Sequence, residues 1–361
     1  MDHYLHLQQI LDVHPSGAPP SVNLTRILQI LFTPEEAALA CHLTFLPQPL
    51  SKIAAKSGSD PAYLQTLLDI MASKVIIIAK SKPGQETSYA LLPTIPGLFE
   101  FPFMQPKPAF DVKELGHLWH EYHTEALGLA YGSSETPHTR VVPVQTTIPM
   151  TSEILPYEDV AQLIDDAGYI ALAPCACRTS VGACDKPREV CFVFGSTGRF
   201  LVERGLARTV DKDEAKKILV MAEEQGLVHC TNNTQKDRLV ICNCCSCCCT
   251  LLRGINVLHN PRAIAKSAYT IAFNDAECIS CGACLDDRCQ VHAITENDDK
   301  ILVDSNHCIG CGLCVSVCPT DALHLQLRAD APSVPVNGQE LMGALLVQKG
   351  KLEAFTKLHQ G

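Results

Sequence analysis

Two stretches decide the fold of the C-terminal part of this chain: CISCGACLDDRC (residues 278–289) and CIGCGLCVSVCP (residues 308–319). The first supplies Cys278, Cys281, Cys284 and Cys289, and the second supplies Cys308, Cys311, Cys314 and Cys318. Both begin with C-x2-C-x2-C, a spacing that lets one loop wrap a single metal centre. Glycines at 282, 310 and 312 allow the backbone to approach that centre closely. The stretches therefore predict two thiolate-bound metal centres.

The pattern resembles the bacterial-type two-cluster ferredoxin domain over about Thr270 to Gln326, with Pro319 after the last cysteine. The resemblance implies that the halves exchange their fourth ligands. One 4Fe-4S cluster would bind Cys278, Cys281, Cys284 and Cys318, and the other Cys308, Cys311, Cys314 and Cys289. The sequence departs from the family by one extra residue before Cys289 and by Gln290 in place of proline. We expect ligation to survive and the surroundings of that cluster to differ.

Further cysteines lie upstream in two groups. A C-x-C-x6-C-x6-C set contains Cys175, Cys177, Cys184 and Cys191, and the run CNCCSCCC contains Cys242, Cys244, Cys245, Cys247, Cys248 and Cys249. Four soft ligands in the first set suit one tetrahedral zinc or one 4Fe-4S cluster. In the run, C-x2-C spacing groups Cys242 with Cys245 and Cys248, and Cys244 with Cys247. Neighbouring thiolates tend to point apart, so this loop would serve two cofactors or one larger cluster, with the 175–191 set supplying the remaining ligands. We expect one or two further iron-sulfur clusters here, with zinc as the alternative.

Ten thiols in these two groups exceed the eight that two cubanes require. The excess would be structural, or would mark an unusual cluster or a redox-active pair. Arg178 follows Cys177 directly, where a cation would lower the charge of a cluster, and a surface ion pair is its other interpretation. No glycine-rich nucleotide motif accompanies the cysteines.

The front of the chain predicts helices followed by a hairpin. Thr33, Pro34 and Glu36 form a helix start signal, and Asp60-Pro61 forms another. Two short strands, 75–79 and 88–92, follow across a Pro83-Gly84 turn. This order resembles a winged helix-turn-helix domain, with residues 61–74 in the place of the recognition helix. That helix offers Gln65 and Thr66 but lacks basic residues, so we favour dimerisation or docking over DNA binding.

Composition and charge limit the class of protein. The chain has 361 residues, 47% hydrophobic and 19% charged, which is typical of a folded multidomain protein. Twenty cysteines without a secretion signal or a membrane span indicate reduced, metal-binding thiolates in a cytoplasmic protein. The net charge of −10 argues against a broad nucleic-acid surface. Acidic residues outnumber basic ones in the ferredoxin-like part, which suits a basic redox partner or an ordinary solvated surface.

These observations predict an α+β multidomain chain. We expect a winged-helix-like domain (1–105), a connecting segment (106–138), a central α/β cysteine-rich domain (139–269), a ferredoxin-like domain (270–330) and a helical tail (331–361). The whole resembles multi-cluster iron-sulfur proteins of anaerobes. The first hypothesis is an electron-transfer protein or redox subunit that passes single electrons to the central site. The alternatives are a redox- or oxygen-sensing regulator and a reductase with catalysis at CNCCSCCC. A redox partner protein and a homo-oligomer or complex formed through the front are expected; DNA is not.

Overall fold

The computed structural model describes residues 2–81, 84–148, 158–285 and 287–360, which form two compact units of mixed helix and sheet. The first unit comprises residues 1–133, 179–181 and 343–361, and the second comprises 134–178 and 182–342. Measured against the length and apolarity that a bilayer crossing needs, none of the helices in the described ranges qualifies.

The front of the first unit is helical with a small sheet. Its helices are α1 (His3–Val13), α2 (Val22–Leu31), α3 (Pro34–Ala40), α4 (Leu50–Ser57), α5 (Pro61–Ser73), α6 (Glu100–Met104), α7 (Val112–Tyr122) and α8 (Gly128–Tyr131). Its strands are β1 (Gln48–Pro49), β2 (Ile77–Lys80) and β3 (Ser88–Leu91), in the antiparallel order β1-β3-β2.

The start signals of this region are confirmed. Thr33 Oγ1 accepts from the Glu36 N–H at 3.2 Å, and Glu36 Oε2 accepts from the Thr33 N–H at 2.8 Å, so α3 begins with a reciprocal capping box. Asp60 caps α5 with a single bond, in which its Oδ1 accepts from the Tyr63 N–H at 3.0 Å. Residue 83 of the expected turn lies outside the described residues. The winged-helix assignment itself stays a prediction.

The central part of the second unit is a six-stranded sheet. Its strands are β4 (Thr139–Val142), β5 (Ile170–Pro174), β6 (Glu189–Phe194), β7 (Arg208–Thr209), β8 (Val228–Asn232) and β9 (Val240–Cys244). Helices α9 (Val160–Asp165), α10 (Ala176–Val181), α11 (Gly195–Glu203), α12 (Lys212–Glu224) and α13 (Thr250–Asn256) connect or follow them. The order is β4-β8-β9-β6-β5-β7, and every pair of these strands is antiparallel.

The expectation of an α/β central domain is therefore wrong. After β5 the chain passes through the six-residue α10 and returns beside the same strand in the opposite direction, so the strand–helix–strand order does not form a parallel unit. One face of the sheet carries Phe192 and Ile241, which pack against Leu163 of α9 and Leu219 of α12. Successive side chains of a strand point to opposite faces, so the neighbours of Phe192 and Ile241 lie on the other face of the sheet.

The ferredoxin-like part adds two small antiparallel pairs. Strands β10 (Tyr269–Phe273) and β13 (Leu323–Leu327) form one pair, and β11 (Ile294–Asn297) and β12 (Lys300–Val303) form the other. Its apolar residues share one buried cluster with the central sheet, including Val141, Val228, Leu252, Ile271, Ile294 and Leu323. The two cysteine-rich regions are thus packed as one body within the second unit.

The helical tail consists of two helices. Helices α14 (Gly338–Gln348) and α15 (Leu352–Gln360) are separated at Gly350, which has a φ of 65°. Beside this break, Lys351 Nζ contacts Asp12 Oδ1 at 3.0 Å, and Lys349 Nζ donates to the Pro15 carbonyl at 2.7 Å. The end of the chain is thereby fastened to the first unit.

Candidate metal centres

The eight cysteines of the ferredoxin-like part lie around two cavities. One cavity is lined by Cys278, Cys281, Cys284 and Cys318. A second is lined by Cys289, Cys308, Cys311 and Cys314. Each cavity therefore combines three closely spaced thiols from one half of the repeat with a single thiol from the other half.

Backbone amides point at several of these sulfurs. The Ser280 N–H donates to Cys278 Sγ at 3.4 Å, the Gly310 N–H to Cys308 Sγ at 3.3 Å, and the Ala293 N–H to Cys289 Sγ at 3.0 Å. Such bonds stabilise thiolates and raise the reduction potential of a cluster that they bind. This donor set fits the soft, anionic coordination that iron-sulfur clusters require.

Two glycines let the second cavity form. Gly310 has a φ of +71°, and a Cβ at that position would lie 2.1 Å from the Tyr269 carbonyl oxygen. Gly312 has a φ of +79°, and a Cβ there would lie 2.2 Å from Thr147 Oγ1. At Gly310 a side chain would therefore displace the cysteine loop or strand β10, whereas at Gly312 it would first displace the Thr147 hydroxyl.

The two cavities differ in exposure. Cys281 of the first cavity is exposed, whereas Cys289 and Cys314 of the second are buried. Burial raises the pKa of Cys314 well above its usual value, and neighbouring thiols add to that shift. At Cys318 burial acts in the same direction, but backbone N–H groups, that of Thr320 foremost, lower the pKa overall. Both cavities combine buried thiols with partly exposed ones, and Cys281 is the one fully exposed thiol of the eight.

Four central thiols converge on one point. The Sγ atoms of Cys184, Cys245, Cys247 and Cys248 all lie within 4.8 Å of one another. Cys184 Sγ is 3.9 Å from Cys245 Sγ and 3.8 Å from Cys248 Sγ. Cys184 comes from the loop between α10 and β6, and the other three from the loop between β9 and α13. We call this set the four-thiol site.

The other central thiols form a connected row, which we call the seven-thiol row: Cys175, Cys177, Cys191, Cys230, Cys242, Cys244 and Cys249. Cys177 interacts with Cys175 and Cys249. Cys244 interacts with Cys230, Cys242 and Cys249, and Cys242 also interacts with Cys191. Each group draws thiols from both sequence sets: Cys184 lies with three thiols of CNCCSCCC, and Cys175, Cys177 and Cys191 interact within the row. Which of these thiols bind metal stays a prediction.

Strand register explains the row. Cys230 of β8 lies directly opposite Cys242 of β9, and Phe192 of β6 lies opposite Ile241. Because Phe192 and Ile241 point into the apolar core, their neighbours Cys191 and Cys242 point to the opposite face. Cys244, two residues on, shares that face. Spacing did not identify Cys230, since its place beside Cys242 depends on the pairing of β8 with β9.

Arg178 lies among these thiols and is fully buried. Its guanidinium donates to the Asn243 carbonyl at 2.6 Å and to the Pro187 carbonyl at 2.7 Å, and it hydrogen-bonds the Cys245 side chain. Burial lowers the pKa of Arg178, but the thiolates of Cys175 and Cys245 raise it above its usual value overall. The surface ion pair considered from sequence is wrong, because the side chain is enclosed.

The thiols beside this cation ionise unequally. The hydrogen bond from Cys248 lowers the pKa of Cys245 to about 4 against the effect of burial, and the charge of Arg178 adds to the shift. Hydrogen bonds from Cys177 and Cys244 lower the pKa of Cys249 to about 6. Hydrogen bonds from Cys191 and Cys244 likewise hold the pKa of Cys242 well below its usual value. Thiolate, the form that binds metal, is thus favoured at Cys245 in the four-thiol site and at Cys242 and Cys249 in the row.

Gln290 connects the second cavity to the central loop. Its Oε1 accepts from the Ser246 N–H at 2.7 Å, in the middle of CNCCSCCC, and its Nε2 donates to the Asp287 carbonyl at 2.8 Å. Asn256 Nδ2 of α13 donates to the Gln290 carbonyl at 2.9 Å. The residue that departs from the ferredoxin pattern therefore links the Cys289 segment to the loop that carries the central thiols.

The lengthened segment before Cys289 also packs on the central part. Arg288 Nη1 donates to the Glu223 carbonyl at 2.8 Å at the end of α12. A Cβ at Gly226 would lie 2.1 Å from the Asp287 carbonyl oxygen, so the two backbones touch there. Both departures from the family pattern thus lie where the ferredoxin-like part meets the sheet.

Comparison with known proteins identifies part of the chain. Residues 272–325 match the 4Fe-4S dicluster domain. The chain is 44% identical over 64 residues to the archaeal-type glutamate synthase [NADPH] of Dehalococcoides mccartyi, covering 17% of this chain and 13% of that protein. It is 37% identical over 86 residues to hydrogenase-4 component A of Escherichia coli, covering 23% and 40%. No solved structure matches.

The chain spans less than half the length of these curated relatives. The matched region contains both four-cysteine cavities, and its thiols, amide donors and glycines fit the cluster type that the domain is known for. The chain is therefore an iron-sulfur protein with a 4Fe-4S dicluster domain at residues 272–325.

Proposed function

We propose that this chain is an electron-transfer protein or redox subunit that passes single electrons through three successive centres. The first is a 4Fe-4S cluster on Cys278, Cys281, Cys284 and Cys318. The second is a 4Fe-4S cluster on Cys308, Cys311, Cys314 and Cys289. The third is an iron-sulfur cluster on the seven-thiol row, as electron acceptor or destination. When bound, these clusters supply one-electron redox chemistry, and the chain sets their order, environment and solvent access.

The observation that carries the proposal is that the three thiol sets adjoin one another, with an exposed thiol in the first set. Cys281 is exposed, whereas Cys314 is buried and feels the charge of Cys284 from the first set. Cys311 in turn feels the charge of Cys230, which belongs to the seven-thiol row. All three sets contribute to one buried cluster of side chains. An electron that enters at the exposed cavity therefore has a packed route to the centre.

The seven-thiol row supports a cluster rather than a single ion. Its members interact as a connected row, and among the described residues only the four-thiol site brings three or more potential ligands within 4.8 Å of one another. Sulfurs spread in this way suit several iron atoms. Seven thiols exceed the four ligands of one cubane, so the third centre would be larger than a cubane or would leave some thiols free.

The relatives support a redox role. One matched protein is named as a glutamate synthase that uses NADPH and the other as a component of a hydrogenase. Exposed acidic residues flank the first cavity, namely Asp275 and Glu277 before Cys278 and Asp321 after Cys318. We propose that a redox partner with a basic surface docks there and exchanges electrons with the first cluster.

The front of the chain would serve as a docking module for a further subunit rather than as a DNA reader. Helix α5 carries no lysine or arginine, and its Tyr63 and Ile70 are 46% and 45% exposed. Exposed apolar side chains suit a protein partner better than phosphates. We keep the winged-helix assignment within this proposal.

The test combines metal analysis with redox titration of the full chain, purified anaerobically. We expect more than the roughly eight iron atoms of two cubanes, and an additional EPR signal during reductive titration. Cys244→Ser should remove that signal and the extra iron while the dicluster signals persist. Cys41→Ser, which changes a thiol outside every set, is the matched control. Iron limited to about eight atoms per chain, with no third signal, would refute the proposal.

A further inference from the structure

We infer that the four-thiol site binds one tetrahedral zinc ion and no cluster. In a tetrahedral thiolate site with metal–sulfur bonds of about 2.3 Å, neighbouring sulfurs are separated by about 3.8 Å. Cys184 Sγ lies 3.8 Å from Cys248 Sγ and 3.9 Å from Cys245 Sγ, and all four sulfurs lie within 4.8 Å of one another. These separations suit four ligands of a single ion.

A cubane does not fit the same four sulfurs. Each thiolate of a 4Fe-4S cluster binds a different iron at a separate corner, so the sulfurs are held apart by the width of the cluster. The dicluster domain provides an internal comparison. Neither of its four-cysteine sets is as compact as the four-thiol site, which among the described residues is alone in having its ligand atoms within 4.8 Å.

The surroundings of the site balance the charge of a zinc tetrathiolate. Four thiolates and one Zn²⁺ carry a net charge of −2. The guanidinium of Arg178 hydrogen-bonds Cys245, and the Ala183 N–H hydrogen-bonds Cys248. Cys245 and Cys248 are buried, whereas Cys184 and Cys247 are partly exposed, so an ion has access from the surface. For one set of donors Zn²⁺ binds more tightly than Fe²⁺, which favours zinc.

The ion would cross-link the α10–β6 loop to the β9–α13 loop. Cys184 belongs to the loop before β6, and the other three ligands lie between Cys244 and Cys249, both members of the seven-thiol row. A zinc ion here fixes the loop that positions those two thiols, without carrying electrons itself. The inference is independent of the proposed electron transfer, because a zinc site forms whether or not the row holds a redox cluster.

The experiment measures zinc, iron and acid-labile sulfide per chain on the full protein, purified anaerobically and dialysed against a chelator. We expect one zinc ion per chain and, by X-ray absorption at the zinc edge, four sulfur neighbours at about 2.3 Å with no metal neighbour. Cys184→Ser and Cys247→Ser alter the two partly exposed ligands and should reduce retained zinc at least tenfold. Cys41→Ser should retain it.

The iron content distinguishes a zinc ion from a cubane or a single iron ion at the four-thiol site. In Cys184→Ser, iron and sulfide per chain should equal those of the wild type. A loss of four iron and four sulfide with the zinc content unchanged would show that the site holds a cubane and would overturn the inference. Zinc-free wild-type protein, or a single iron at this site, would also overturn it. If the variants do not fold, the absorption spectrum of the wild-type protein still gives the number and type of neighbours.

Discussion

Removing the side chain of Gln290 tests how the dicluster domain is joined to the central loop. Gln290 is 3% exposed, and its amide makes two hydrogen bonds, with the Ser246 N–H and with the Asp287 carbonyl. Each bond contributes about 0.5–1.5 kcal/mol net, and a buried donor left without a partner costs about 1–3 kcal/mol. We therefore expect Gln290→Ala to lower the free energy of unfolding by about 2–4 kcal/mol.

The assay is urea denaturation of the cluster-loaded protein under anaerobic conditions, followed by circular dichroism. A second readout is the rate at which the central cluster is reduced after the dicluster domain, by stopped-flow absorbance. Because the bonds hold the Cys289 segment against CNCCSCCC, we expect this step to slow in the variant. Gln290→Met keeps the volume and removes both bonds, which separates hydrogen bonding from cavity formation.

Gln326→Ala is the matched control, since it makes the same substitution at an exposed position of β13. We expect it to change stability by no more than about 0.5 kcal/mol, as is usual for surface sites. The reasoning from these contacts is wrong if Gln290→Ala unfolds at the same urea midpoint as Gln326→Ala and its central cluster is reduced at the wild-type rate. Gln290 would then not join the dicluster domain to the CNCCSCCC loop.

Three further predictions concern charge, pH and backbone. Arg178→Gln should lower the reduction potential of the central cluster, measured by EPR titration. A unit charge at contact distance contributes about 4 kcal/mol at an effective dielectric of about 20, so the potential should fall on the order of 100 mV. A dicluster potential that moved instead would contradict this placement. Burial raises the pKa of Glu158 to about 7 despite the charge of Arg140, so its contribution to stability is complete below the ordinary value of 4.5 and is lost as pH rises through about 7. In Glu158→Gln the urea midpoint should change less between pH 4.5 and about 7 than it does in the wild type. An equal change in both proteins would refute the assignment. Gly310→Ala, whose Cβ would lie 2.1 Å from the Tyr269 carbonyl oxygen, should lose iron from the dicluster domain. Gly282→Ala, whose Cβ would meet only a side-chain carbon at 3.7 Å, should lose less, and equal losses measured by metal analysis would show that positive φ alone matters.

The parts of the fold that the sequence predicted are those set by neighbouring residues. The capping box at Thr33 and the cap at Asp60 depend on groups three residues apart, and both helices begin where expected. The cysteine spacing of the dicluster domain is also local, because one loop carries three thiols around each cavity. Short-range patterns of this kind are readable without knowledge of the tertiary structure.

The central site was not predictable in the same way, because its grouping depends on contacts between distant segments. Cys184 is 61 residues from Cys245, and no spacing rule relates them. Cys230 looks isolated in the sequence and joins the row only through the register of β8 and β9. The burial of Arg178 likewise depends on the backbone carbonyl of Asn243, 65 residues away.

One loop serves two centres because its backbone changes type within CNCCSCCC. Residues 240–244 are still strand, so Cys242 and Cys244, two apart, share the sheet face with Cys230. The chain then leaves the strand, and alternation no longer applies to Cys245, Cys247 and Cys248, which turn toward Cys184. Cys249 stands at the start of α13 and returns to the row beside Cys177. A uniform C-x2-C interpretation fails here because it assumes one backbone geometry for the whole run.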